Sequence, residues 1–269
     1  MMNEFQAFKQ EASEILNLDL GGYKEKRIER RTKSLMKRYE ISDFEECSTR
    51  LKEDIKFREA YLNHFTINTS EFFRNPKNYE YLEDKILPQL LEENRKINIW
   101  SAPCSNGAEP YTIAILLEEM GVRSSNYYIL GSDLDPEILS AAKKGVYSPS
   151  AVKNVPDKIF NKYFEEIDGQ FKRYQLSSKI LNKVNFEQKD LINGKFKKDD
   201  WDLIISRNFF IYLTKEYKNL MIEKFTNVLK DNRYFFIGST EFIFGSEKFN
   251  LKKEKLTIPA NKAKEIEIN

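Results

Sequence analysis

The chain has 269 residues, 41% hydrophobic and 32% charged, enough for a sizeable core under a well-solvated surface. Its 44 Lys and Arg against 42 Asp and Glu leave a net charge of +2, so no whole-molecule attraction to nucleic acid is expected. A single histidine, His64, rules out a multi-histidine metal centre and argues against a His-based triad, and the two distant cysteines, Cys47 and Cys104, suit cytosolic thiols better than a disulfide.

The opening MMNEFQAFKQEASEIL is amphipathic and mixed in charge, unlike a signal peptide, and no apolar run approaches the ~20 residues of a membrane helix. A soluble, cytoplasmic protein is expected. Phe5, Phe8, Ala12, Ile15 and Leu16 recur at helical spacing, predicting a first helix over about 3–17 that Gly21-Gly22 interrupts. A second helix, from about Tyr23 to Tyr39, carries Lys24, Arg27, Arg30, Arg31 and Arg38 along one side, with Ser34 as a neutral gap. Ser42-x-x-Glu45 reads as a capping box opening a third helix, and Phe57, Tyr61 and Leu62 indicate a fourth. Residues 1–66 are therefore expected to form a small all-helical domain, 67–77 a linker, and 78–269 a second domain that begins with a helix over about 78–93.

The periodicity then changes. Ile97–Gly121 reads as strand, glycine-containing turn and helix, with Pro110 in the first helical turn and Gly121 at its end. There is no G-x-G-x-x-G, and a carboxylate, Glu109, stands at the helix start. A pyrophosphate would be repelled there, whereas a ligand with an amine or sulfonium cation would be attracted. Further strands are predicted at Tyr127–Gly131, Val184–Gln188, Trp201–Ser206 and Tyr234–Gly238, with helices over Glu137–Lys144 and about Lys215–Leu229. Asp133 ends the second strand, where an acid partners ribose hydroxyls. Phe171–Leu176, after the turn Asp168-Gly169, predicts a small β insertion near 163–180, and Leu256–Ile258 one last edge strand. With no G-x-x-x-x-G-K-[ST] and no metal-ligand spacing, acidic strand ends at Glu109, Asp133 and Asp190, with Asn208, suit S-adenosylmethionine better than NAD or ATP. Asp190 and Asn208 suit helix capping equally well.

The chain resembles the CheR family, S-adenosylmethionine-dependent methyltransferases that esterify glutamates of bacterial chemotaxis receptors. The resemblance rests on Asn-x-Ser-x-Phe-Phe-Arg at 68–74, Trp-Ser-Ala-x-Cys-Ser-x-Gly-x-Glu-Pro-Tyr at 100–111 and Ser-Asp-Leu-Asp at 132–135. It continues with Ala-x-x-Gly-x-Tyr at 142–147, Asp-Leu-Ile-x-x-Arg-Asn-x-x-Ile-Tyr at 202–212 and Gly-Ser-Thr-Glu at 238–241. It implies a Rossmann-like class I methyltransferase domain with a small antiparallel β insertion, preceded by the helical domain.

The resemblance also implies roles. Asn68, Ser70 and Arg74 would close over the cofactor, Glu109 would face its methionine part, and Asp133 would hold the ribose. Asp190 and Leu191 would flank the adenine, with Asn208 and Phe209 as a wall. Arg74 and Tyr212 would orient the acceptor carboxylate and the methyl group. Lys24, Arg27, Arg30, Arg31 and Arg38 would dock on the cytoplasmic domain of methyl-accepting receptors. The product would be S-adenosylhomocysteine, with no metal and no nucleic acid partner; a monomer is expected, peripheral to the membrane only through the receptor. Amino-methylating relatives often carry a Pro-Pro-aromatic turn after the fourth strand; Ser206-Arg207-Asn208-Phe209 stands there instead. Another methyltransferase on the same fold, or a non-catalytic signalling module, remain as rival readings.

Overall fold

The computed structural model describes residues 3–65, 70–93, 96–169, 171–196, 201–256 and 264–268. The chain starts with four helices, α1 (Glu4–Leu16), α2 (Glu25–Arg38), α3 (Phe44–Glu53) and α4 (Ile55–Phe65). Phe5, Phe8, Leu35, Leu51, Phe57 and Tyr61 are buried together, so the apolar stripes meet in one small core. The third helix is capped one residue later than its sequence suggests. Asp43, not Ser42, accepts from the Glu46 N–H at 2.8 Å, while the Glu46 carboxylate accepts from the Ser42 N–H at 2.9 Å.

The expected helix over 78–93 is interrupted: α5 (Pro76–Tyr81) and α6 (Leu87–Glu93) are joined by a π-helical turn, Leu82–Ile86. Pro88 lacks an N–H and its ring crowds the preceding turn, which widens there. Then come β1 (Ile97–Ser101), α7 (Ala108–Glu119), β2 (Tyr127–Asp133), α8 (Pro136–Lys144), β3 (Val146–Tyr147), α9 (Pro149–Val152) and α10 (Asp157–Tyr163). Next are β4 (Phe164–Ile167), β5 (Arg173–Leu176), α11 (Ser178–Leu181), β6 (Asn185–Gln188), β7 (Trp201–Ser206), α12 (Lys215–Thr226) and β8 (Leu229–Ile237). A final hairpin is β9 (Lys252–Leu256) and β10 (Lys264–Ile268).

The main sheet runs β6-β2-β1-β7-β8-β10-β9, parallel from β6 to β8 and closed by the antiparallel hairpin. Residues alternate between its faces: Ile99, Leu203 and Phe236 join the core under α7, while Trp100, Ile204 and Phe235 join the one under α12. A separate antiparallel sheet, β3-β5-β4, is the insertion foreseen from Phe171–Leu176, enlarged by Val146–Tyr147. The expected edge strand falls on β9, which begins earlier, at Lys252; Ile258 lies outside the described residues, and a further strand, β10, follows.

Asp231-Asn232-Arg233 lie within β8 where its pairing with β7 shifts register, and Asn232 is left-handed at φ 57°. Lys230 and Arg233 both reach the buried Asp202 carboxylate of β7, at 2.9 and 3.2 Å, and clamp this irregularity.

The helical domain is fastened to the sheet domain by backbone pairing. Lys24 N–H donates to the Tyr212 carbonyl and Thr214 N–H to that of Gly22, both at 2.9 Å, and the Tyr217 hydroxyl donates to Asp19. Each such bond contributes about 1 kcal/mol net. Together they hold α2 over the carboxyl edge of the sheet.

Candidate active site

Two adjoining recesses open at that edge, where the chain reverses its order of strand placement between β1 and β7. They measure about 810 and 670 Å³ and share Pro103, Asn208 and Tyr212, so they form one cleft.

The larger recess is mostly apolar, walled by Leu134, Leu191, Ile192 and Phe209, with one deeply set carboxylate. That carboxylate is Asp133, the last residue of β2, which extends two residues beyond its predicted end. It accepts from the Asp135 N–H at 3.2 Å and the Ser105 N–H at 2.8 Å. Burial pushes its carboxyl up to about 6, against the opposing pull of those N–H groups. The neighbouring Ser105 hydroxyl is buried without a partner among the described residues. Asp190 lines the same recess, yet its oxygens are occupied by its own loop: they accept from the Ile192 N–H at 2.8 Å, the Asn193 N–H at 3.1 Å and the Asn193 side chain at 2.9 Å. Asp190 thus ties a turn of its own loop, with no helix beginning there among the described residues, alongside its place in the wall.

The smaller recess is polar. Gly107, at φ 80°, turns the chain from β1 into α7; a Cβ there would meet Ala142, Tyr111 and Phe186 at 3.0–3.1 Å. This turn buries Glu109, which accepts from the Ser101 hydroxyl at 2.7 Å and faces Arg207 at 3.5 Å. Burial pushes Glu109 up, opposed by Arg207 and Ser101. Arg207 is buried too, which alone would weaken it, but Tyr79, Glu109 and Glu241 together hold it above its ordinary value. It donates to the Tyr79 hydroxyl at 3.0 Å and to the Arg74 carbonyl at 2.7 Å, while its Nε has no partner among the described residues.

Ser70 and Arg74 line this recess as well. Phe73 and Asn75, on either side of Arg74, are both left-handed at φ 50° and 62°. The Phe73 N–H donates to Thr112 at 3.2 Å and the Asn75 side chain to Ser239 at 2.8 Å, so the strained bend is pinned from two sides. Asn68 lies outside the described residues. Beyond β7, Asn208 is left-handed at φ 60°, and its N–H donates to Glu241 at 2.7 Å. Glu241 also accepts from the Gly238 N–H at 2.9 Å; it is buried, and burial raises its carboxyl against those bonds.

Sequence reasoning gave no role to Arg207, Glu241 or Tyr79. The first two stand inside quoted motifs; nothing in the local sequence of Tyr79 marks it. The basic side of α2 also divides. Arg27 and Arg31 are half-buried and line the larger recess, Arg27 stacking on the Tyr212 ring at 4.7 Å and Arg31 donating to the His64 carbonyl. Lys24 precedes the helix and donates to the Ile211 carbonyl at 2.9 Å. Arg30 and Arg38 are exposed.

A chamber with apolar walls and one deeply buried acid, Asp133, suits a nucleoside, and a polar chamber with a buried carboxylate and two arginines suits an amino acid's ammonium and carboxylate. The Ser105 hydroxyl beside Asp133 and the Nε of Arg207, which lines the polar recess, are buried donors without a partner among the described residues. The donor set therefore fits S-adenosylmethionine. Among the described residues no group of side chains is arranged to hold a metal ion, and no helix is long and apolar enough to cross a membrane.

Comparison with known proteins agrees with this chemistry. The family profile "CheR methyltransferase, SAM binding domain" matches residues 68–258, and "CheR methyltransferase, all-alpha domain" matches 3–66. A chemotaxis protein methyltransferase of Listeria monocytogenes is 35% identical over 237 residues, covering 88% of each chain. That of Borreliella burgdorferi is 34% identical, covering 86% of this chain and 84% of its own. A Pseudomonas aeruginosa relative, chemotaxis protein methyltransferase 1, is 26% identical over 88% and 89%. Likeness on this scale, over both domains and in chain order, means that the chain belongs to the CheR methyltransferase family and is an S-adenosylmethionine-dependent methyltransferase.

Proposed function

We propose that the chain methylates glutamate side chains of chemotaxis receptors, in the cytoplasm and as a monomer, setting their adaptation state. The observation that carries this reading is the pairing of Arg74 and Tyr212 along the polar recess, with Tyr212 also at the junction of the two chambers. A carboxylate acceptor needs a cation to steady it, not a base to deprotonate it, because glutamate with a pKa near ~4.3 is already ionised.

When bound, S-adenosylmethionine supplies a methyl group activated by its sulfonium. Asp133 accepts from the ribose hydroxyls, Glu109 draws the ammonium, and Arg207 holds Glu109 in place. Arg74 and Tyr212 align the incoming carboxylate, and the roof of α2, with Arg27 against Tyr212, keeps water from it. Incubation with methyl-labelled cofactor and membranes carrying chemoreceptors should give label on the receptor band that alkali releases as methanol. Alkali-stable label, or none on receptors, would refute the reading.

Cofactor affinity should depend on pH. The free protein's Asp133 protonates at about 6, and only its carboxylate accepts two hydroxyl bonds. Affinity is therefore full above this value and lost as pH falls through it, by about tenfold from pH 7 to pH 5. Calorimetry across that range checks this; a flat profile would contradict it. The divided basic stripe sharpens a docking test. Arg30→Glu with Arg38→Glu should raise KM for receptor about tenfold and leave cofactor affinity alone. Arg31 is unsuitable for this test because it lines the cofactor cleft.

A further inference from the structure

A third concavity, of about 1430 Å³, lies next to the cleft and is not used by the mechanism. Ile211 lines both it and the polar recess, so the two are continuous at the active-site mouth. Its floor is aromatic: Phe242 is 48% exposed, Phe244 is 87% exposed, and Phe249 stands beside them. Its rim is cationic, with Lys24, Lys215, Lys218 and Lys248. Among the described residues Glu241 is the one acid lining it, and that carboxylate is turned inward onto the N–H groups of Asn208 and Gly238. Glu216 and Glu247 are exposed on the same elements but do not line the groove.

Two phenylalanines two positions apart, both open to water beside an enzyme's mouth, gain nothing for the fold by their exposure. Four lysines around them exclude a basic partner and favour an acidic one. We propose that this groove is a docking surface for the acidic, amphipathic segment of the receptor that carries the target glutamates. Its apolar side chains rest on Phe242 and Phe244, its carboxylates meet Lys215 and Lys248, and the target glutamate reaches past Ile211 into the cleft. The inference rests on the receptor reading above. It adds a contact distinct from the exposed Arg30 and Arg38 of α2, neither of which lines the groove.

The test compares full-length wild type, Phe244→Ser and Lys215→Glu/Lys248→Glu on chemoreceptor membranes, with cofactor affinity measured in parallel. None of these side chains is in the cleft, and the exposure of Phe244 makes its replacement harmless to folding. Each variant should raise KM for receptor about tenfold with kcat and cofactor affinity retained, and the lysine pair should also flatten the salt dependence of KM. If wild type methylates receptor and the variants match its KM, the groove assignment fails while the function stands. If wild type labels no receptor, both fail. Sedimentation showing that wild type self-associates and Phe244→Ser does not would make the groove a contact between copies and overturn the proposal. Loss of binding to phosphatidylglycerol vesicles, with receptor KM unchanged, would overturn it in favour of a membrane surface.

Discussion

Asp133→Ala is expected to weaken cofactor binding by about a hundredfold or more while leaving the protein folded. Two ribose hydroxyls lose a charged acceptor, each bond contributing about 1.5–3 kcal/mol, and the apolar chamber offers no replacement. The apoprotein tolerates the change because two effects oppose. The Asp135 and Ser105 N–H groups lose their acceptor, at about 1 kcal/mol each, but a desolvated carboxylate held up to about 6 is removed. Calorimetry for the cofactor and thermal melting for the fold separate the two. Unchanged affinity would remove Asp133 from the ribose; collapse of the melt would make it a loop anchor instead.

Arg207→Met is expected to be the most destabilising single change at the site, by about 3–5 kcal/mol. It leaves the Glu109 carboxylate buried with Ser101 as its remaining partner, and removes the bonds to Tyr79 and to the Arg74 carbonyl. Glu109 then rises further and takes up a proton, so the protein that stays folded loses the charge that draws the ammonium. Glu109→Gln added to Arg207→Met should recover part of the loss, because no unpaired charge is left. Urea titration measures both. A shift of less than about 1 kcal/mol for Arg207→Met would mean that the network is not coupled as its geometry indicates.

What could be read in advance and what could not differ by range. The parallel strands β1, β2, β6 and β7, and α7, were legible because periodicity, Gly107 and Pro110 act locally, whereas β3 and β10 were not foreseen and β8 begins at Leu229, ahead of Tyr234. The carboxylate at Glu109 in place of phosphate-cradling glycines pointed to a cationic ligand, and it lies in a buried, arginine-faced recess. The network that holds it was not legible. Arg207 reaches Glu109 across 98 positions and Tyr79 across 128, and neither end carries a mark of the other. Glu241 was within a quoted motif, but its use, anchoring the backbone at Asn208, needs the fold to be seen. The break in the helix over 78–93 had a visible cause in Pro88. The register shift of β8 at Asp231–Arg233 depends on Asp202, which holds Lys230 and Arg233 from the neighbouring strand. Helical phase grouped five cations on one side of the second helix, but could not tell that Lys24 lies ahead of α2 or that Arg27 and Arg31 line the cleft while Arg30 and Arg38 stay exposed.

One cleft, roofed by α2, is proposed to divide the cofactor between Asp133 and Glu109. A crystal structure with S-adenosylhomocysteine should show adenosine between Leu191 and Phe209 with its ribose hydroxyls on Asp133, and the homocysteine ammonium beside Glu109. A ligand bound with its ribose away from Asp133, or with its carboxylate in place of the ammonium at Glu109, would contradict it.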